Sequence, residues 1–290
     1  MRPDTQTSSV EPNGTEDIWN DPKIVEDYRS AEKVTVVFAR SLIEQSGILS
    51  IQREGKPLSI LDHACGTGAV SAVLHEMLPD WKIDDGWKLT CADLSGAMID
   101  AVKAKIDAEE WGNTDTAIAD LHRTGLYTGH YTHVFVSFEC LRILKPGGTL
   151  AFTTWEKCGW SDDVNAAIAT MPGNLPKPTP KEFLMSLGNG DEWHNPDWVE
   201  AQLSKRGLKD IQVKLAPKTI ATSTLTEILP SLAPIITHIP AKFWNSEQRE
   251  QHGDNLASAV SSYLEKNYSV DQLIPMNWVA VVATAQKPAN

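Results

Sequence analysis

Residues 58–71 read Leu-Ser-Ile-Leu-Asp62-His63-Ala64-Cys65-Gly66-Thr-Gly68-Ala-Val-Ser71. A short apolar run ends in a carboxylate, and a glycine-rich turn follows. Beyond it Val70, Val73, Leu74 and Met77 recur at i, i+3, i+4, i+7 until Pro79. Strand, tight turn and helix in that order are how an open α/β sheet presents loop N–H groups to a small-molecule cofactor.

The pattern continues along the first half. Asp21-Pro22 opens a long helix, with proline at its first position, and Gly47 stops it. Ser59–Asp62 is the first predicted strand and Trp87–Ala92, ending at Asp93, the second. Ser95 caps the next helix, whose stripe is Met98, Ile99, Val102 and Ile106. Thr116–Ala119 is the third strand, Thr132–Phe138 the fourth and Thr149–Thr154 the fifth. Lys145-Pro146-Gly147-Gly148 has the chemistry of a type II turn. Strand and helix alternate, which predicts a mostly parallel sheet. Further on, a helix is expected over Asn195–Gly207, with strands over Ile211–Leu215 and Asn277–Ala283. The fold class is a doubly wound, seven-stranded α/β sheet with an antiparallel terminal strand. Residues 218–271, broken by Pro230, Pro234 and Pro240, read as a helical cap inserted in a single domain over 21–290.

Bulk properties narrow the function. A formal net charge of −12 leaves no basic footprint for nucleic acid or an anionic membrane. Four cysteines without CxxC spacing suit a reducing compartment. No apolar run approaches bilayer length, and Met1–Gly14 are polar, without a signal-peptide core. The expectation is a cytosolic protein with a disordered N-terminal tail and a small-molecule substrate. Oligomeric state is not legible.

Asp62, Asp93 and Asp120 follow three successive strands, so they gather at one crevice. Asp93 is placed to accept both hydroxyls of a ribose, and Asp120 to accept from the exocyclic amine of adenine. The dinucleotide fingerprint requires a third glycine where this chain has Ser71. A carboxylate at Asp62 repels a pyrophosphate but suits an ammonium or sulfonium, which favours S-adenosylmethionine (SAM) over NAD.

Asp62-His-Ala-Cys-Gly66-Thr-Gly68, Ala92-Asp93-Leu-Ser, Ala119-Asp120-Leu121 and Leu144-Lys-Pro-Gly-Gly148, in this order, resemble the motifs of class I SAM-dependent methyltransferases. The phrase Leu150-Ala-Phe-Thr-Thr-Trp155-Glu and the Trp19–Tyr28 lead-in resemble, more narrowly, fungal secondary-metabolite methyltransferases of the bis-thiomethyltransferase kind. The resemblance implies that Gly66 and Gly68 approach the methionine moiety and that Asp93 binds the ribose. It further implies that Leu94 and Met98 sandwich the adenine, which Asp120 and Leu121 also contact. Ala64 stands where the family has glycine. Tyr28 and Trp19 are expected to fold over the cofactor from the N-terminal segment. Phe138, Trp155, Trp160 and Trp193, with Phe243 and Trp244, are expected to line an apolar substrate pocket. No catalytic base is assigned: an acceptor that is already nucleophilic needs mainly to be held in line with the sulfonium.

One connection departs from the pattern. The predicted fourth strand climbs about 20 Å, and Glu139–Lys145 leaves seven residues to return, where a parallel crossover usually takes a dozen or more. The expectation is a lost segment, compensated by a shortened or displaced fourth strand. Two rival functions follow from the sequence. One is a non-catalytic ligand-binding or pericyclic scaffold; the other is a nicotinamide-dependent oxidoreductase.

Overall fold

A computed structural model describes residues 22–78, 86–120, 124–135, 141–188 and 190–289, with backbone alone for 22–24, 26–31 and 53. The tail 1–20, Trp19, Leu121, Phe138, Cys140 and the Tyr28 side chain lie outside the described residues.

The sheet is built from β1 (Leu58–His63), β2 (Trp87–Asp93), β3 (Thr114–Ile118), β4 (Tyr131–Phe135), β5 (Leu144–Lys157), β6 (Lys209–Ile220) and β7 (Met276–Gln286). Its order is β3-β2-β1-β4-β5-β7-β6. The first five strands pair in parallel, and β7 runs antiparallel to both β5 and β6. The order reverses at β1 and β4, so a crevice opens at their carboxyl ends.

Helix α1 (Pro22–Gln45) runs to a Gly47 at φ 75°, and α2 (Ile48–Arg53) follows. Phe38, Leu42 and Ile43 of α1 join Val73 and Leu74 of α3 (Ala69–Met77) and Ile99 and Val102 of α4 (Gly96–Glu109). Together they cover Ile60, Leu89 and Phe135 on one sheet face. Each such side chain contributes roughly 1.5–3 kcal/mol when fully buried. The opposite face carries Leu61, Val134, Leu150, Phe152 and Val281 beneath Val199 and Leu203 of α7 (Pro196–Lys205).

A third cluster forms the cap. It is built from α5 (Ser161–Thr170) and α6 (Pro180–Leu187), and from α8 (Leu225–Ser231), α9 (Ala233–Phe243) and α11 (Leu256–Asn267); α10 (Ser246–His252) precedes α11. The cap therefore draws on the chain after β5 as well as on the stretch after β6. It also starts later than Lys218, because β6 continues to Ile220. Pro217 does not end that strand: β6 has a partner only in β7, and an edge tolerates a residue without an N–H.

The short connection keeps the parallel ladder. Phe135 pairs with Ala151, yet Tyr131 pairs with Leu144, so β5 begins before the Pro-Gly-Gly turn, which bulges between two register segments. The return then covers only the four residues from Phe135 to Tyr131, about 13 Å. Eight intervening residues span that distance readily at ~3.3 Å each. β4 is described from Tyr131 to Phe135, and residues 136–138 of the expected Thr132–Phe138 lie outside the described residues. Gly147 has φ 75°, as a type II turn requires, and its N–H donates to Lys287 O at 2.9 Å.

Candidate cofactor and acceptor site

The loop from His63 to Ala69 turns tightly at the carboxyl end of β1. Three of its residues are left-handed: Ala64 (φ 54°), Gly66 (φ 53°) and Gly68 (φ 86°). Glycine adopts this region freely, whereas alanine does so at a cost of roughly 1 kcal/mol. Ala64→Gly is therefore expected to raise stability by about 0.5–1 kcal/mol, read as a small upward shift in urea midpoint with unchanged slope.

Asp93 ties this loop to β2. The Gly66 N–H donates to its Oδ2 at 2.9 Å and the Ser95 N–H to its Oδ1 at 2.9 Å. The carboxylate is half-buried at the crevice, so it keeps lone pairs for a ligand. Ser95 in turn caps α4, accepting from Met98 N at 3.2 Å.

Asp62 plays a different part from the one expected. It is 3% exposed, and its Oδ2 accepts from Ser71 N at 3.1 Å and Ser71 Oγ at 2.6 Å, inside the first turn of α3. Burial pushes its pKa up to about 7 against the lowering effect of those bonds. The acid anchors helix to strand instead of offering a free carboxylate to the crevice. His63, the next residue, is fully buried, and neither ring nitrogen has a hydrogen-bond partner among the described residues. Burial lowers its pKa, partly offset by the nearby charges of Asp93 and Asp120. Thr67 Oγ1 in the same loop is also buried without a partner among the described residues.

Leu94 is 47% exposed and Ile118, at the end of β3, is 66% exposed. These two are the open apolar surfaces beside Asp93 and Asp120. Met98 is 2% exposed, so of the expected pair Leu94 and Met98 only Leu94 is open, with Ile118 as a second open apolar side chain. Sequence reasoning missed Ile118. Its signal was an apolar residue two positions before a strand-end acid.

A chamber of about 310 Å³ opens on the same edge. Asp62 is level with Phe135 and Phe135 with Ala151. Trp155, four residues further along β5, stands about 13 Å beyond that level. Its ring is 4.9 Å from that of Trp278, and Trp160 meets Phe183 edge-on at 4.8 Å. All four line the chamber, with Val34 of α1 and Ile228 of α8. Three expected wall residues lie elsewhere. Trp193 packs edge-on against Trp198 of α7 at 4.7 Å, in the cluster of the opposite sheet face. Trp244 is buried and donates to Pro176 O at 3.0 Å, with Phe243 packed in the same cap cluster; neither lines the chamber.

Among the described residues no group of His, Cys, Asp or Glu is arranged to hold a metal. Cys65, Cys91 and Cys158 are buried free thiols. No described helix is long and apolar enough to cross a membrane.

Sheet order, left-handed loop and strand-end acids define a Rossmann-like fold with a crevice at its carboxyl edge. Comparison with known proteins gives the class: the description "Methyltransferase domain" matches residues 60–152. The acetylaranotin bis-thiomethyltransferase of Aspergillus terreus is 37% identical over 263 residues, covering 90% of this chain and 93% of that protein. The methyltransferase tpcH of Aspergillus fumigatus is 36% identical over 286 residues, covering 94% and 99%. The methyltransferase ktnA of Aspergillus niger is 36% identical over 291 residues, covering 90% and 94%. The chain belongs to the SAM-dependent methyltransferases and is similar over most of its length to these fungal members.

Proposed function

We propose that this enzyme methylates an oxygen, sulfur or nitrogen of a small, apolar metabolite held in the tryptophan-walled chamber, with SAM bound across the β1–β2 loops. The observation that carries the reading is Asp93: a carboxylate fixed by two backbone N–H groups beside a left-handed loop, on the same sheet edge as the chamber.

The residues present fit that nucleoside. Gly66 and Gly68 allow backbone to approach the methionine moiety without a Cβ, Asp93 accepts from the ribose hydroxyls, and Asp120 accepts from the adenine amine. Leu94 and Ile118 supply apolar surface for a flat base, with Met98 supporting them. Asp62 and Ser71 hold the loop in place, and the Leu121 and Tyr28 positions belong to the same proposed site. SAM supplies an electrophilic methyl on a sulfonium. The chamber would position the acceptor in line with that methyl and limit the access of water.

The test is thermal denaturation with S-adenosylhomocysteine and, separately, NAD. A ligand at about 100 times its Kd stabilises by ~2.7 kcal/mol. A clear upward shift with S-adenosylhomocysteine and none with NAD is expected. The reverse pattern returns the chain to nicotinamide chemistry, and binding without transfer to any acceptor favours the scaffold reading.

A further inference from the structure

Gly159 sits in the turn between β5 and α5, behind the chamber wall. A Cβ built there stands 2.3 Å from Trp278 Nε1, 2.6 Å from Trp278 Cδ1 and 2.7 Å from Met276 Cβ. Its φ is not in the left-handed region, so the backbone accepts any residue, and it is space that demands glycine. Both crowded side chains line the chamber. On its other side Trp278 meets Trp155, which is itself braced edge-on by Phe38 at 5.2 Å. Trp278 is part-buried and lines the chamber, so a side chain at 159 displaces the indole, and the chamber is the open space that the ring borders.

We propose that Gly159 is a specificity-determining residue: by letting Trp278 lie back, it keeps the acceptor chamber wide enough for an uncharged, flat, multi-ring acceptor. The volume is at the lower end of the ~300–1,000 Å³ range for small-molecule sites, so the thickness of one indole decides what enters. The chemistry of the wall agrees with the acceptor class. Trp155, Trp160, Phe183 and Trp278 offer ring surfaces, and the described lining residues carry no charged side chain. Burial pushes the Cys158 thiol up to about 12, which keeps it neutral. The proposal rests on the chamber being the acceptor site.

Calorimetry on the full chain tests it, with 2-naphthol and phenol as two-ring and one-ring probes and S-adenosylhomocysteine titrated alongside. Gly159→Ala is expected to weaken 2-naphthol by about tenfold, the scale on which a pocket discriminates by a small change of shape. Phenol and S-adenosylhomocysteine are expected to bind as before. Adding Trp278→Leu to Gly159→Ala should restore most of the 2-naphthol affinity, because the obstructing indole is gone. Equal losses for both phenols, or no recovery in the double variant, would overturn the proposal and make Gly159 an ordinary turn residue. If Gly159→Ala does not fold, Trp278→Leu alone decides: it should bind 1-pyrenol, a four-ring probe, about tenfold more tightly than the wild type does, and no gain sinks the idea. Failure of the methyltransferase reading shows separately, as absent S-adenosylhomocysteine binding in the wild type.

Discussion

Asp93→Ala is expected to raise the Kd for S-adenosylhomocysteine by about 1,000-fold, which in a titration at ordinary concentrations reads as no binding. The magnitude follows from what the carboxylate does. Two hydrogen bonds to a charged group, each about 1.5–3 kcal/mol, connect a ribose to the protein, and 1.4 kcal/mol is a factor of ten. The same oxygens also accept from Gly66 N and Ser95 N. Removing them leaves the loop without its tie to β2, so the pocket loses shape as well as contact. Losing its bonds to Gly66 N and Ser95 N also lowers the melting temperature of the unliganded variant, so binding is measured well below that transition. Asp93→Asn keeps one acceptor oxygen and should fall between the two. Calorimetric titration of the three proteins measures this, and an undiminished affinity in Asp93→Ala would remove the residue from the site.

The carboxyl edge was legible because its information is local. A glycine pair after an apolar run, an acid at each strand end and Ser95 before a stripe each state a conformation within a few residues. The structure realises them as a left-handed loop, a crevice and a capped helix. What escaped was non-local or suppressed by a single residue. Pro217 shortened the predicted β6, since proline argues against a strand unless one knows that the strand is an edge. Helix α6 was announced by Thr179-Pro180-Lys181-Glu182, a capping box with proline at the first turn, and the structure forms both of its bonds. That signal was present and overlooked. Of the chamber only Trp155 and Trp160, just after the fifth strand, were legible: its wall joins α1, β5, α6, β6, α8 and β7, and no spacing in the sequence brings Val34 toward Trp278. Trp193 shows the same limit from the other side. A tryptophan near the expected crevice in sequence lies on the opposite sheet face, because α7 carries Trp198 there to meet it.

Asp62 gives the second large effect, and it depends on pH. Its carboxyl has an ordinary value of 3.8 in the unfolded chain and is pushed up to about 7 in the folded one, chiefly by burial. Between those values the folded protein holds a proton that the unfolded chain has released, so stability falls as pH rises through this window. Below about 4 both states are protonated, and above about 7 the folded state carries a buried charge. The full difference corresponds to roughly 4 kcal/mol. Asp62→Asn has the same shape, accepts from Ser71 N and Ser71 Oγ in the same geometry, and does not titrate. Its own cost, two amide protons in a buried place, is the same at every pH. The melting temperature of Asp62→Asn minus that of the wild type should therefore become more positive by about 5–10 °C from pH 4.5 to pH 8. Melting curves across that range, corrected by a variant at a distant exposed carboxylate such as Glu247→Gln, isolate the contribution. A difference that instead becomes more negative with rising pH would mean that the acid is charged and favourable in the fold. Asp62 would then be free to meet a cationic ligand directly instead of anchoring α3.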